Sequence, residues 1–293
     1  MADPSSQPEP LEPLEPLAAE LQALDQPPAK SGPPSIAPPG PPRLGPVIVF
    51  DDVSISFGGR PVLKNVSFTV TRGETLCILG RSGVGKSVSL RMLMGFLRPD
   101  SGFIQVEGEE LTTLDEEGLR AIRKRVTMVF QNGALFDSLS VRENVAFPLR
   151  ERGGLEEDAL NQIVDRLIEL VGAEDVSDSL PASLSTGRKR AVAMARALAA
   201  QPEIVLYDEP TTMVDPIIAK RLGNLIQRLK RQLGFTSIVV THDTRFAQAL
   251  ADSVLFLDQG RARFFGPLKE FLAASDPDIK QFLTLDAYLV PPA

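Results

Sequence analysis

The sequence predicts an α/β protein built on a parallel β-sheet, and three observations predict it. Apolar runs of strand length recur at 75-TLCILG-80, 126-VTMVFQ-131, 203-EIVLYDEP-210 and 237-SIVVTHD-243. Helical stretches lie between them, among them 156-EEDALNQIVDRLIELVG-172 and 218-IAKRLGNLIQRLKRQLG-234. Each apolar run ends in polar groups. Strands that are apolar on both faces belong in a parallel sheet covered by helices. In such sheets the chemistry collects at the carboxyl ends of the strands, where these polar groups fall.

Taken in order, the elements begin after a sharp change of composition near residue 46. Residues 1 to 46 hold 14 of the chain's 25 prolines, with two basic residues against six acidic ones. Such a segment buries too little apolar surface to offset its chain entropy, so disorder is expected. Within it, 17-LAAELQALDQ-26 sets Leu17, Leu21 and Leu24 on one helical face, the pattern of a short helix that folds on a partner. The globular pattern starts with 47-VIVFDDVSISF-57 and 66-VSFTV-70, read as strands around a Gly58-Gly59 turn. The buried strand 75–80 runs into a glycine-rich loop, and 86-KSVSLRMLMGF-96 continues as a helix. The stretch 183-SLSTGRKRAVAMARAL-198 is a further helix, whose Ser185-Thr186-Gly187 opening leaves backbone N–H groups pointing toward any anion. No internal repeat is visible.

Composition narrows the functional class. The 293 residues are 43% hydrophobic and 24% charged, the range of an ordinary globular chain. A net charge of −7 disfavours broad nucleic-acid binding. A single cysteine, Cys77, allows no internal disulfide and fits a reducing cytosol. The N-terminus carries neither the basic start nor the apolar core of a signal peptide. No uncharged apolar run approaches the ~18–20 residues of a membrane helix.

The chemistry concentrates in four places. The stretch 80-GRSGVGKS-87 matches G-x-x-x-x-G-K-[ST] between a strand and a helix. Gly80, Arg81, Ser82, Gly83, Val84 and Gly85 would wrap a phosphate chain with backbone N–H groups. Lys86 would reach the outer phosphates, and the Ser87 hydroxyl would serve Mg²⁺. At 204-IVLYDEP-210 an apolar strand ends in Asp208, suited to hold Mg²⁺ through water, and Glu209, placed to polarise an attacking water. His242, the chain's single histidine, ends a third strand at the same sheet edge. The Ser185–Gly187 helix opening is the fourth.

Together these residues resemble the nucleotide-binding domain of ABC ATPases. The resemblance spans residues 47 to about 272, with every diagnostic element in the family's order. It implies a P-loop NTPase fold: a parallel-sheet RecA-like core, an antiparallel β subdomain and a helical signature subdomain over about 132–190. A C-terminal tail, 273–293, follows. The family's pattern makes Phe57 the aromatic that stacks on adenine, Gly80 to Ser87 the Walker A loop and Gln131 the Q-loop residue that senses Mg²⁺ and the membrane partner. It makes Asp208 and Glu209 the Walker B pair, Asp215 in 212-TMVDP-216 the D-loop aspartate and His242 the switch histidine. The resemblance therefore implies ATP and Mg²⁺, with Lys86, Gln131, Glu209 and His242 in the catalytic roles. It also implies a second copy of the chain, arranged head to tail, whose Ser185 hydroxyl and Gly187 N–H close on the γ-phosphate held by the first. The signature here reads Leu184-Ser185-Thr186-Gly187-Arg188, with Thr186 for the family's first glycine and Arg188 for its glutamine. Thr186 is compatible with a working site if its backbone angle suits a β-branched residue.

A finer resemblance lies in 130-FQNGALFDSLSVRENVAFPLRE-151, similar to the ATPases of Mce-associated lipid transporters, and more weakly in 275-SDPDIKQFL-283. It implies a permease docking near Gln131–Arg150, an Mce-type lipid-binding protein, a small regulatory subunit, and a peripheral place on the cytoplasmic face of a bacterial inner membrane. Phe136, Val141, Val145 and Phe147 would form an apolar groove for that permease. An amino acid or a metal complex remains an alternative cargo. A DNA- or ribosome-acting ABC ATPase is disfavoured, because the interval from Gly80 to Leu184 leaves no room for a long coiled coil and the chain carries one such domain.

Overall fold

The computed structural model describes residues 45–289, with side chains up to Thr284. The proline-rich segment before Gly45, with its helical stretch at 17–26, lies outside the described residues, as does the end of the tail after Leu289.

Two sheets organise the chain. β1 (Pro46–Phe57) and β2 (Arg60–Thr71) form a hairpin. Its turn is Gly58-Gly59, both at positive φ (55° and 75°), the primed geometry that matches strand twist. With β4 (Ser101–Val106) and β5 (Glu109–Glu110) they make an antiparallel sheet of order β2-β1-β4-β5. Along β1 the inward residues Ile48, Phe50, Val53 and Ile55 are buried, and Phe50 stacks on Phe68 across the pair at 4.3 Å between centroids.

The second sheet has six strands in the order β10-β9-β3-β8-β7-β6. β3 (Thr75–Leu79), β6 (Val126–Val129), β7 (Ile204–Asp208), β8 (Thr236–Thr241) and β9 (Ser253–Asp258) run parallel, and β10 (Arg261–Pro267) closes the edge antiparallel. Both faces of β3 are buried. Leu76 and Ile78 join the core shared with the antiparallel sheet, whereas Cys77 and Leu79 join the core under the helices. β7 divides likewise, Ile204 and Leu206 on one side, Val205 and Tyr207 on the other. A period of two with both faces covered is why these strands read as unbroken apolar runs.

α1 (Lys86–Leu93) and α2 (Glu116–Arg125) pack into the first core. α3 (Val141–Arg152), α4 (Glu157–Val171) and α5 (Thr186–Ala199) form a helical unit over the second, beside α6 (Pro216–Leu233) and α7 (Thr244–Leu250). α8 (Leu268–Leu272) and α9 (Pro277–Leu289) follow. Phe271 of α8 and Phe282 of α9 both meet Phe256, at 5.8 and 5.0 Å, so the packed body continues beyond residue 272.

The groove expected from four apolar residues is half that size. Val141 and Val145 are wholly buried, because the i, i+4 spacing of α3 puts them with Leu149 on its inward face. Only Phe136 and Phe147 are exposed, 42% and 37%, their rings 4.7 Å apart. Arg196 lies over the Phe136 ring at 5.4 Å.

Candidate functional site

The strand order brings β3, β8 and β7 side by side, so the ends of three chain-distant strands meet. From β3 the backbone turns at Gly80, φ +150°, where a Cβ would lie 2.4 Å from the Leu257 carbonyl oxygen; no side chain fits there. The loop leads into α1, whose N-cap position is Gly85 and so offers no side-chain cap. The first-turn N–H groups of α1 therefore face the loop as a positive helix end.

Lys86 is 5% exposed, and its ammonium donates to the carbonyls of Gly80 at 2.8 Å and Arg81 at 3.1 Å. The same nitrogen lies 3.3 Å from Glu209 Oε1. The Ser87 hydroxyl donates to Asp208 Oδ1 at 2.6 Å, joining the start of α1 to the end of β7. Glu209 follows in a left-handed conformation, φ +47°, rare for a side chain of this size. Its N–H donates to the Val240 carbonyl at 2.9 Å, fastening it to β8. Glu209 Oε2 lies 2.8 Å from His242 Nδ1 and accepts from the Thr212 hydroxyl at 3.2 Å.

The adjacent carboxyls are pushed in opposite directions. Burial is the largest influence on Asp208 and raises its pKa, with the neighbouring Glu209 charge adding to it against the Ser87 hydrogen bond. Burial also pushes Glu209 up most strongly, but the His242 hydrogen bond and the Lys86 and His242 charges outweigh it, and the net shift is down. Glu209 is thus kept as a carboxylate, and His242 Nδ1–H is the donor between them.

A cavity of about 650 Å³ opens over these groups. Of the residues singled out from the sequence, Phe57, Arg81, Ser82, Gly83, Gly85, Lys86, Ser87, Gln131, Glu209 and His242 line it. Asp208 reaches it through Ser87, while Gly80 and Val84 shape the loop from behind. Four further residues line the cavity that sequence reasoning missed, Val62, Val88, Thr212 and Phe282. Thr212 stood in the quoted D-loop stretch, but its hydrogen bond to Glu209 needs the folded turn. Nothing in 275–283 signalled that Phe282 would meet this cavity.

Ser185, Gly187 and Asp215 are elsewhere. Ser185 and Gly187 line a second cavity of about 570 Å³ with Arg188 and Ile218. Asp215 caps α6, accepting from the Ile217 N–H at 2.8 Å. Within one chain Ser185 and Gly187 line a different cavity from the 80–87 loop.

The donor set suits Mg²⁺. The Ser87 hydroxyl and Gln131 line the cavity, and one carboxylate oxygen, Asp208 Oδ1, is hydrogen-bonded to Ser87. Mg²⁺ takes one or two such ligands and completes its shell with phosphate oxygens and water. Among the described residues no cluster of three or more His, Cys, Asp or Glu forms a cage that would hold a metal by protein alone.

The profile of the family described as ABC transporter matches residues 63–212. The chain belongs to the ABC transporter family. It is 37% identical over 241 residues to the methionine import ATP-binding protein MetN of Brucella abortus (strain 2308), covering 82% of this chain and 65% of that protein. The chain thus spans just under two thirds of the length of these relatives. It is 38% identical over 232 residues to the intermembrane phospholipid transport system ATP-binding protein MlaF of Escherichia coli (strain K12), covering 79% of this chain and 86% of MlaF. Among solved structures, cbiO1 from Clostridium perfringens, part of the ABC transporter complex cbiONQ, matches with a TM-score of 0.73 and 29% identity over 83% of this chain and 95% of its own. The dimeric ATP-binding cassette MJ0796 bound to ADP and Pi matches with a TM-score of 0.69 and 29% identity over 75% and 98%.

The stretch 184–188, expected from the sequence to be the signature, carries Thr186 and Arg188 without strain. Ser185 is the N-cap of α5, its oxygen accepting from the Arg188 N–H at 3.4 Å. Thr186 opens the helix and is not at positive φ, so the position does not demand glycine. Arg188 pairs with Asp175 at 2.7 Å, and that hydrogen bond holds the Asp175 carboxyl below its usual range. Thr186→Gly should therefore leave ATPase activity of the assembled complex within a few-fold. The change costs about 1 kcal/mol or less in helix propensity, visible as a slightly lower Tm. An inactive native form that glycine rescues would show the signature to be degenerate.

Gly187 is constrained by space. A Cβ there would lie 2.6 Å from Ile218 Cγ2 on α6. Gly187→Ala should push α5 and α6 apart and cost about 1–3 kcal/mol. Ile218→Ala, added to it, should restore much of the Tm. A Gly187→Ala protein with unchanged Tm and ATPase rate would contradict this contact.

Proposed function

We propose that this chain is the ATP-binding and ATP-hydrolysing subunit of an ABC transporter that works as a head-to-tail pair. The observation that carries the reading is the convergence of Lys86, the Ser87–Asp208 pair and the Glu209–His242 pair on one cavity beneath an exposed aromatic, Phe57. Adenine stacks on Phe57, the triphosphate lies along 80–87, and Lys86 exchanges its carbonyl partners for phosphate oxygens. Glu209, held ionised, orients the attacking water and accepts its proton, and His242 fixes the orientation of that carboxylate. Mg²⁺, when bound at Ser87, Gln131 and Asp208, offsets phosphate charge.

Because Ser185 and Gly187 lie away from their own phosphate loop, the γ-phosphate they meet belongs to a second copy. The α5 N-terminus of one copy and the loop of the other then surround it. Loss of that phosphate removes the bridge, and the pair reopens. Asp215, next to that interface, contributes from the D-loop.

The cargo we assign is phospholipid moving between inner and outer membranes, with a permease, an Mce-type lipid-binding protein and a small regulatory subunit as partners. The similarity to MlaF and the 130–151 stretch support it. The permease would dock on the exposed Phe136–Phe147 pair, and the chain would sit peripherally on the cytoplasmic face of the inner membrane. No helix among the described residues is long and apolar enough to cross a membrane. The proposed division is an ATPase domain over 47–272 and a C-terminal segment over 273–293 whose Phe282 packs against that domain. A second reading, amino acid import, is favoured by the similarity to MetN.

The test is to extract membranes of the native host mildly, capture the tagged chain, and identify companion proteins and lipids by mass spectrometry. A multispanning permease with an Mce protein and phospholipid is expected. A permease with an amino-acid-binding protein would transfer the assignment to the second reading. No membrane companion at all would end the transporter assignment.

A further inference from the structure

Arg190 is 3% exposed, yet among the described residues no carboxylate pairs with it. Its guanidinium donates to two main-chain carbonyls, of Pro210 and of Thr212. Its Nε–H has no hydrogen-bond partner among the described residues. A buried cation without a counter-ion is costly, so its position calls for an explanation. The two carbonyls belong to the turn that follows Glu209, a turn that holds Glu209 at φ +47° and Met213 at φ +59°. Such left-handed conformations persist only where the surroundings impose them. The rigid guanidinium fork, spanning carbonyls two residues apart, is suited to impose them.

The chain of contacts continues into the site. Thr212, whose carbonyl Arg190 holds, gives its hydroxyl to Glu209 Oε2 at 3.2 Å, the same oxygen that His242 Nδ1 approaches at 2.8 Å. At the other end, Arg190 lies one turn along α5 from Gly187, on the same helical face. The first turns of α5 therefore move as one body, with Ser185 and Gly187 at one end and Arg190 at the other.

We propose that Arg190 and Thr212 form a hydrogen-bonded strut through which the signature helix sets the position of the Glu209 carboxylate. Arg190 is a positioning residue acting through Thr212; it touches no reacting atom. Engagement of Ser185 and Gly187 by the nucleotide of the second copy then aligns this chain's own water-orienting group. Each of the two sites becomes competent only when the chain's signature is also occupied. The inference rests on the reading of Glu209 as the water-orienting carboxylate.

The test uses the tagged full-length chain purified from its native host together with its companions. Thr212→Val keeps the shape and removes the hydroxyl. It should lower kcat about tenfold, the size of one hydrogen bond to a charged group, with the KM for ATP and the Tm unchanged. Thr212→Ser should restore the rate. Arg190→Lys, which cannot span both carbonyls, should lower kcat with KM unchanged, and the double variant should be no slower than the slower single one. Wild-type kcat in Thr212→Val would overturn the strut, as would multiplicative losses in the double variant or a raised KM with unchanged kcat in Arg190→Lys. If Arg190→Lys does not fold, the Thr212 pair decides alone. Glu209→Gln run in parallel separates the two levels. Normal turnover there removes the reading of Glu209 and the strut with it, whereas lost turnover beside an unaffected Thr212→Val removes the strut alone.

Discussion

Glu209→Gln should bind ATP, accumulate as a closed pair, and lose about a hundred- to ten-thousandfold in turnover. The substitution keeps the size of the side chain and removes its charge and its proton-accepting oxygen. Glu209 serves three neighbours: Oε1 faces the Lys86 ammonium at 3.3 Å, and Oε2 serves both His242 Nδ1 and the Thr212 hydroxyl. All three are donors when the carboxylate is ionised, the state its environment favours. A glutamine has one acceptor oxygen for that set, and its NH₂ must turn toward one of them. The oxygen facing His242 and Thr212 satisfies two partners at once and puts the NH₂ beside Lys86. Lys86 is then released toward phosphate, which is why ATP binding should survive. ATP affinity by equilibrium titration, ATP-dependent dimer by size-exclusion chromatography, and phosphate release together check this. Phosphate release at the wild-type rate would remove Glu209 from the role assigned to it.

What could be read from the sequence, and what could not, divides along a physical line. The phosphate loop is legible because its chemistry is local: glycines, Lys86 and Ser87 stand at fixed offsets between a strand and a helix. Asp208 and His242 are legible one step further out, because apolar runs ending in polar residues mark the carboxyl ends of parallel strands, and the strand order then makes them neighbours. Arg190 and Thr212 were not legible. In sequence Arg190 is one of three consecutive basic residues, Arg188, Lys189 and Arg190, and helical geometry alone does not say which of them is buried. Its partners lie twenty and twenty-two residues away, across a turn whose left-handed Glu209 no glycine announces. Val141 and Val145 failed for a related reason. An apolar residue on an amphipathic helix reads alike whether it faces a core or a partner, and only the orientation of α3 assigns them inward.

Lys86→Ala should lose ATP affinity and turnover together, which distinguishes it from Glu209→Gln. The ammonium sits between three oxygens of its own chain, two carbonyls of the loop and the Glu209 carboxylate. Bound phosphate competes with these oxygens for the ammonium N–H groups, and each charge-assisted hydrogen bond gained is worth about 1.5–3 kcal/mol. Removing the side chain should weaken ATP binding about ten- to a hundredfold by that measure. The rate should fall further, by about a hundred- to a thousandfold, the cost of deleting one donor aimed at developing charge. Structural damage is the competing explanation, because the ammonium also bridges the Gly80 and Arg81 carbonyls across the loop. ATP-induced stabilisation separates the two. A ligand raises Tm in proportion to the logarithm of its concentration over its Kd, so lost affinity shifts the ATP dependence of Tm to about ten- to a hundredfold higher ATP without moving its ATP-free value. A lowered ATP-free Tm with an unchanged ATP response would make Lys86 a loop strut. The response shifted to higher ATP at constant ATP-free Tm is the expected outcome, because Lys86, 5% exposed, lines the cavity and is held by polar contacts outside both hydrophobic cores.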